Sequence, residues 1–144
     1  RNTLASADRF HDLILSSQVY TNARALALFG LLYAQDGIWN GDRLISADCI
    51  DFIKTPAPST ADRGNFYGAQ WWLVPDDRTD VPANAYSTSG NRGQYVIVVP
   101  DHDLVIVRRG LDYNRQGFNR WELVREVLKA IGPAEAISST NQET

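Results

Sequence analysis

The sequence has 144 residues, of which 44% are hydrophobic, and its formal net charge at pH 7 is −3. This length and composition predict one globular unit with a single core, and the slight acidity gives no support for nucleic acid or an anionic membrane as partner. No apolar run approaches the roughly 20 residues that cross a bilayer, and one cysteine with two histidines argues against a disulfide or a zinc site.

The first third of the chain shows helical patterns. A short helix is predicted over residues 4–17, and a second over residues 23–37, where a glycine stops it. Thr21 or Asn22 can cap the second helix. Its alanines and leucines recur at helical spacing, which predicts a wide buried face. Gly30 inside this helix indicates close packing against another element.

A turn and a third helix follow. Asn40–Gly41 is a turn signal between apolar residues. Ser46 is predicted to cap a helix over residues 47–55, which ends before a proline. Cys49 lies on this helix, and we interpret it as a buried structural thiol, not as a nucleophile. The composition of residues 55–65 predicts a loop.

The second half begins with strands. Residues 66–74 are aromatic and apolar and are predicted to form a strand. Residues 95–99 and 104–108 form a predicted hairpin, and His102 is interpreted as a residue of its turn. Both hairpin strands are too apolar for a sheet with one wet face, so we expect central strands that are covered on both sides.

A last helix closes the chain. Asn119 is its predicted cap, and Glu122 stands at the capping-box spacing. Its predicted apolar stripe consists of Trp121, Val124, Leu128 and Ile131. Residues 1–132 are interpreted as the folded portion, and residues 133–144 as a disordered tail.

Helices and antiparallel strands in separate runs predict the α+β class, with an antiparallel sheet flanked by helices. Three strands with two apolar faces need more strands or helices than this sequence obviously supplies. The sequence also begins without Met, at Arg1, which we interpret as a boundary inside a longer protein. The compartment therefore stays undetermined.

Several segments resemble segments of the serine β-lactamase-like hydrolases and follow one another in the same order as in that family. The family includes class C β-lactamases, D,D-peptidases, esterases and 6-aminohexanoate-dimer-hydrolase-like enzymes. NARALALFGLLYAQDGIWNGDRLIS resembles their helix-and-turn segment, YGAQWWLV a strand of their C-terminal half, and SGNRGQYVIVVPDHDLVIVRRG their glycine-bearing third motif with its hairpin. The resemblance covers residues 19–131. It implies a sheet sandwiched by helices, and it implies that this chain is the C-terminal portion of such a domain.

The family's nucleophile is the serine of Ser-x-x-Lys, assisted by a Tyr-x-Asn element. Asp51 and Glu126 stand three residues before the two lysines, Lys54 and Lys129, so the sequence contains no Ser-x-x-Lys. Tyr20-Thr21-Asn22 matches the second element in letters, but a helix cap is the favoured interpretation. The resemblance therefore implies that the serine and its lysine base lie on an N-terminal portion outside this sequence, and that this chain alone is inactive.

The third motif occurs in altered form. Thr88-Ser89-Gly90 occupies the place of Lys-Thr-Gly, so Thr88 stands at the lysine position, which favours the esterase and amidase branches over true β-lactamases. The resemblance implies that the Asn91 main-chain amide donates to the oxyanion and that Gly90 gives it clearance. Thr88, Ser89 and Trp72 are expected to contact a small ester or amide substrate, and no cofactor or metal is implied.

Other interpretations stay open. On residue chemistry alone, the segment SGNRGQ is a bulge or bend that enters a strand. Ser87 and Ser89 are not credible nucleophiles, because no histidine or lysine stands in an activating arrangement. The chain could also be a non-catalytic binding or scaffold module that retains the family's sheet, or an unrelated small α+β domain.

Overall fold

The computed structural model describes residues 3–14, 18–113 and 117–132. Its helices are α1 (Ala23–Ala34), α2 (Ala47–Lys54) and α3 (Arg120–Ile131), with short 3-10 helices at Pro58–Arg63 and Pro100–His102. Its strands are β1 (Leu4–Ala5), β2 (Val19–Tyr20), β3 (Ile38–Trp39), β4 (Asp42–Arg43), β5 (Trp72–Leu73), β6 (Tyr86–Ser87), β7 (Gln94–Val99) and β8 (Leu104–Arg109). These strands pair antiparallel, so the predicted α+β class, an antiparallel sheet flanked by helices, is confirmed.

The central sheet has the strand order β5-β6-β7-β8. β7 and β8 stay in register from the pair Gln94↔Arg109 to the pair Val99↔Leu104, which confirms the predicted hairpin to within one residue at each end. β6 was not predicted, because a strand of two residues that includes a serine gives no apolar run.

The side chains of β7 alternate between two cores. Ile97 belongs to a cluster with Trp121 and Val124 of α3, and Val98 belongs to a second cluster with Ile50 of α2. Both β7 residues are fully buried. At β7 the sheet therefore has apolar cover on both faces, as the hairpin composition predicts. The prediction that β8 is also a central strand is wrong, because β8 lies at the edge of the described sheet and is only partly buried.

α1 reaches the second face of the sheet at Gly30. A Cβ atom there would lie 2.5 Å from Val105 Cγ1 and 2.8 Å from Val96 Cγ1, which confirms the close packing predicted for this glycine. The Tyr86 hydroxyl donates to the Tyr33 carbonyl at 3.1 Å and joins β6 to α1. Burial raises the pKa of Tyr86, so its hydroxyl stays a neutral donor.

Side-chain caps set the helix starts. Asn22, Ser46 and Asn119 each accept a hydrogen bond from a main-chain N–H two or three residues later, at 2.9, 3.2 and 3.0 Å. These three predicted helix starts are confirmed. The Glu122 carboxylate, expected to complete a capping box, instead pairs with Arg78 at 3.0 Å.

Two predicted elements are wrong. A helix was predicted over residues 4–17. The described part of this region instead forms β1 and a turn, because β1 pairs with β2. The strand predicted over residues 66–74 shrinks to β5. There the Gly68 N–H donates to the Trp71 carbonyl at 2.8 Å, and Gln70 has a φ of 65°, so the chain turns sharply just before the strand.

Three burial predictions also fail. Cys49 is exposed, because α2 packs through Ile50 and Ile53 and the thiol lies beside that face. Ile131, at the end of the predicted stripe on α3, is 56% exposed. On the described part of α1 the residue that is buried is Gly30, and the expected wide face is only half-buried.

None of the helices in the described part of the chain is long and apolar enough to cross a membrane. The tail predicted over residues 133–144 lies outside the described residues, and the boundary at residue 132 stays a prediction.

Candidate functional site

The candidate site is the segment Thr88–Gly93, which continues β6 and turns into β7. The Thr88 N–H donates to the Val96 carbonyl at 2.9 Å, and the Gly90 N–H donates to the Gln94 carbonyl at 2.7 Å. The Val96 N–H donates in turn to Thr88 Oγ1 at 3.0 Å. One edge of the segment is therefore pinned to the central strand of the sheet.

The opposite edge of the segment is open. β5 pairs with β6 only as far as Trp72↔Ser87, and beyond Ser87 no described strand covers this edge. Because neighbouring N–H groups in a strand point to opposite sides, the Ser89 amide faces away from β7. The Asn91 amide has no hydrogen-bond partner within the described ranges, and both residues are exposed. The open edge thus presents the Ser89 amide, and the Asn91 amide stands free in the turn that follows.

The turn has a defined backbone shape. Arg92 has a φ of 60° and Gly93 a φ of 79°, and this left-handed conformation favours glycine at position 93. Gly90 does not have a positive φ. A Cβ atom at Gly90 would lie 2.9 Å from Gln94 Cβ. Glycine is therefore needed here first of all because the segment approaches β7 closely. Clearance for a substrate stays a prediction.

Two hydroxyls near the edge are engaged in the fold. Ser87 is fully buried, and its hydroxyl donates to the Thr88 carbonyl at 2.7 Å. Burial and this bond agree with the expectation that Ser87 is not a nucleophile. Thr88 Oγ1 accepts from the Val96 amide, so its oxygen serves the hairpin, although its proton can still be donated.

Arg120, the first residue of α3, comes within reach of Ser89. Its guanidinium carbon lies 4.9 Å from the Trp72 ring centroid and 4.6 Å from that of Tyr95, and its Nη2 lies 3.4 Å from Ser89 Oγ. Trp71 packs in the core on the other face of the sheet. The two tryptophans therefore lie on opposite faces of the sheet, with Trp72 on the side of the candidate edge.

The environment of Arg120 is unusual for an arginine. Its Nη1 is buried and has no hydrogen-bond partner among the described residues. Burial lowers the pKa of this guanidinium, but an arginine starts so far above neutrality that it keeps its charge. Arg120 was not predicted as a site residue, because position 120 looks like an ordinary helix start after the Asn119 cap. The cation thus stands beside the candidate edge, next to Ser89.

The structure separates other candidates from this edge. Asn22 caps α1 through its side chain, which agrees with the helix-cap interpretation of Tyr20-Thr21-Asn22. His102 lies in the short 3-10 helix of the β7–β8 connection, as expected of a turn residue. Within the described ranges, no three His, Cys, Asp or Glu side chains are placed to hold a metal ion.

The candidate edge is a wall, not an enclosed pocket. A cavity of about 520 Å³ lies beside Leu73, Val74 and Tyr86, and none of the predicted site residues lines it. Ser89, Gly90 and Asn91 are all exposed. A substrate on this wall would need further chain to enclose it.

No family model matches this sequence. An uncharacterised protein of Alkalihalophilus pseudofirmus is 25% identical to it over 117 residues, which are 75% of this chain and 35% of that protein. The chain therefore spans about a third of the length of this relative.

Two solved structures share the fold. The "Putative 6-aminohexanoate-dimer hydrolase from Bacillus anthracis" superposes with a TM-score of 0.62 at 20% identity, over 88% of this chain and 32% of that chain. A "putative beta-lactamase from Bacteroides dorei" superposes with a TM-score of 0.51 at 16% identity, over 79% of this chain and 40% of that one. The chain thus has part of a β-lactamase-like fold and is similar in structure to proteins that carry hydrolase names.

Proposed function

We propose that this chain is the C-terminal part of a serine hydrolase that cleaves ester or amide bonds through an acyl-serine intermediate. The nucleophilic serine and its lysine base would lie on polypeptide that precedes this sequence. The observation that carries the proposal is the exposed, unpartnered Asn91 amide in the turn between the pinned segment and β7. The partial coverage of the similar structures, 32% and 40% of their lengths, supports it.

In the proposed reaction the serine oxygen attacks the carbonyl carbon, and negative charge develops on the former carbonyl oxygen. Two N–H donors would stabilise that charge: the amide of the nucleophile itself and the amide of Asn91. Each such donor contributes about 3 kcal/mol to lowering the barrier. The alcohol or amine then leaves, and water attacks the acyl-serine to regenerate the enzyme.

The side chains around the edge support a role in substrate binding. Ser89 is exposed, and Trp72 is half-buried beside Arg120. Thr88 lacks the positive charge of the family's lysine, but Arg120 carries a positive charge 3.4 Å from Ser89 Oγ. The proposed edge therefore has a backbone donor, a hydroxyl and a cation, of which the first acts on the reacting carbonyl and the others on the rest of the substrate.

The test uses the full-length protein and a chromogenic ester such as p-nitrophenyl butyrate. We expect turnover, and we expect a serine-directed fluorophosphonate to label one serine that peptide mapping places outside residues 1–144. Residues 1–144 expressed alone should not hydrolyse p-nitrophenyl acetate or nitrocefin above background. Stoichiometric labelling of a serine within residues 1–144 would overturn the proposal.

The absence of Ser-x-x-Lys from the sequence favours a second candidate, a non-catalytic binding or scaffold module. The same experiment separates the two functions. A full-length protein that stays unlabelled and inactive toward esters, amides and nitrocefin, while folded, would select the module.

A further inference from the structure

An ion pair lies directly beneath the turn that carries Asn91. Arg108, on β8, donates from Nη1 to Asp112 Oδ2 at 2.8 Å and from Nη2 to Asp112 Oδ1 at 2.8 Å. This two-point geometry is the strongest that a guanidinium and a carboxylate form. The two side chains are only 21% and 26% exposed, so solvent weakens the pair less than it weakens a typical surface pair.

The pair is tied to the main chain of the turn. Arg108 Nη1 also donates to the Gly93 carbonyl at 2.9 Å, and the Gly110 N–H donates to the same carbonyl at 3.2 Å. The Asp112 N–H donates to the Arg92 carbonyl at 3.2 Å. The main-chain carbonyls of Arg92 and Gly93, the two residues after Asn91, thus accept hydrogen bonds from residues 108–112.

Two glycines leave space for the Arg108 guanidinium. A Cβ atom on Gly93 would lie 2.1 Å from Arg108 Nη1 and 2.2 Å from Asp112 Oδ2, and one on Gly110 would lie 2.1 Å from the same Nη1. The Phe118 ring stacks over Arg108, with the guanidinium carbon 3.8 Å from the ring centroid. The ion pair is therefore enclosed by the backbone at two glycines and by the Phe118 ring.

We propose that the Arg108–Asp112 pair is a positioning clamp: it fixes the turn Asn91–Gly93 and so holds the Asn91 amide in the direction that an oxyanion requires. This inference rests on the proposed function. An oxyanion donor lowers the barrier only if it is already oriented when charge develops. Arg108 and Asp112 are positioning residues, because they hold the turn and do not contact the reacting atoms.

The kinetic test compares Arg108→Gln and Asp112→Asn in the full-length protein with Arg125→Gln. Arg125 is a matched control, because it pairs with Asp80 and Glu126 around α3. Misplacement of a catalytic group by about 1 Å can lower the rate 10²-fold, so we expect kcat to fall roughly 10–100-fold in both clamp variants. KM should stay within about twofold, since the clamp acts on the transition state. Arg125→Gln should keep the wild-type kcat.

Amide hydrogen exchange supplies a readout that does not depend on turnover. In both clamp variants the Gly110 and Asp112 N–H groups, which donate to the turn, should exchange faster, while the amides in the centre of β7 and β8 keep their protection. Arg108→Lys should restore exchange protection only in part, because an ammonium cannot form the two-point pair.

The outcomes separate cleanly. Unchanged exchange at Gly110 and Asp112, or faster exchange with an unchanged kcat, would overturn the clamp. Equal proportional losses of kcat and of global stability, without a local exchange change, would also overturn it and indicate a merely structural pair. If the wild-type protein hydrolyses nothing, the proposed function fails, and exchange alone then decides whether the pair fixes the turn.

Discussion

Replacing Asn91 with proline tests the proposed oxyanion donor directly, because proline has no main-chain N–H. The Asn91 amide has no partner in the described structure, so its loss breaks no hydrogen bond of the fold. Gly90 pairs with Gln94 as an extended bridge, which is the conformation that the residue before a proline prefers. The cost should therefore fall on the reaction: removal of one oxyanion donor costs about 2.7–4 kcal/mol, or roughly 10²–10³-fold in kcat.

The assay is ester hydrolysis by the full-length protein, with kcat and KM measured separately and the melting temperature recorded for each variant. Asn91→Ala is the matched control, because it removes the side chain and keeps the N–H, and its kcat should stay within a few-fold of wild type. Should the proline variant fold poorly, an amide-to-ester replacement at residue 91 removes the same proton with little change in shape. A folded variant that lacks the N–H yet keeps the kcat of Asn91→Ala would refute the assignment.

Three further predictions concern the frame of the site. Gly30→Val should destabilise the protein in urea unfolding by about 1–3 kcal/mol or more, because a Cβ atom there already lies 2.5 Å from a valine methyl group of β8. Tyr86→Phe should cost about 1 kcal/mol in the same assay, the worth of its bond to the Tyr33 carbonyl. The hydrogen bond from Arg108 lowers the pKa of Asp112, so the clamp should persist above the unfolded-state pKa and be lost as the pH falls through the lower folded-state value. In Arg108→Gln, an NMR titration should show the folded-state pKa of Asp112 rising toward its usual value of about 3.9.

The parts of the fold that local chemistry determines could be predicted from the sequence. Asn22, Ser46 and Asn119 cap helices through bonds to amides at most three residues away, so each signal lies within one short segment. The β7–β8 hairpin follows from two apolar runs across a short turn. Such features depend on neighbours along the chain, and the structure changes their limits by only a few residues.

The parts that depend on distant neighbours could not be predicted. β1 exists because it pairs with β2, which stands about 15 residues later, and its own sequence resembles a weak helix. Arg120 meets Ser89 across 31 positions, and nothing near position 120 indicates such a partner. The exposure of Cys49 likewise depends on which face of α2 the sheet covers.

The structural and the functional interpretations of Thr88–Gly93 explain different observations. Close approach to Gln94 accounts for Gly90, and the left-handed φ accounts for Gly93. Neither accounts for an outer edge that ends its pairing at Ser87, whereas the exposed Asn91 amide in the turn can donate to water as well as to an oxyanion.

Arg120 supports the functional interpretation. A buried polar atom without a partner is uncommon in a native protein and calls for an explanation, and Nη1 of Arg120 is such an atom within the described residues. It belongs to the same side chain that reaches Ser89. Arg120 has a structural role over the Trp72 and Tyr95 rings, and the proposed function gives its charge a second role in binding an acyl substrate.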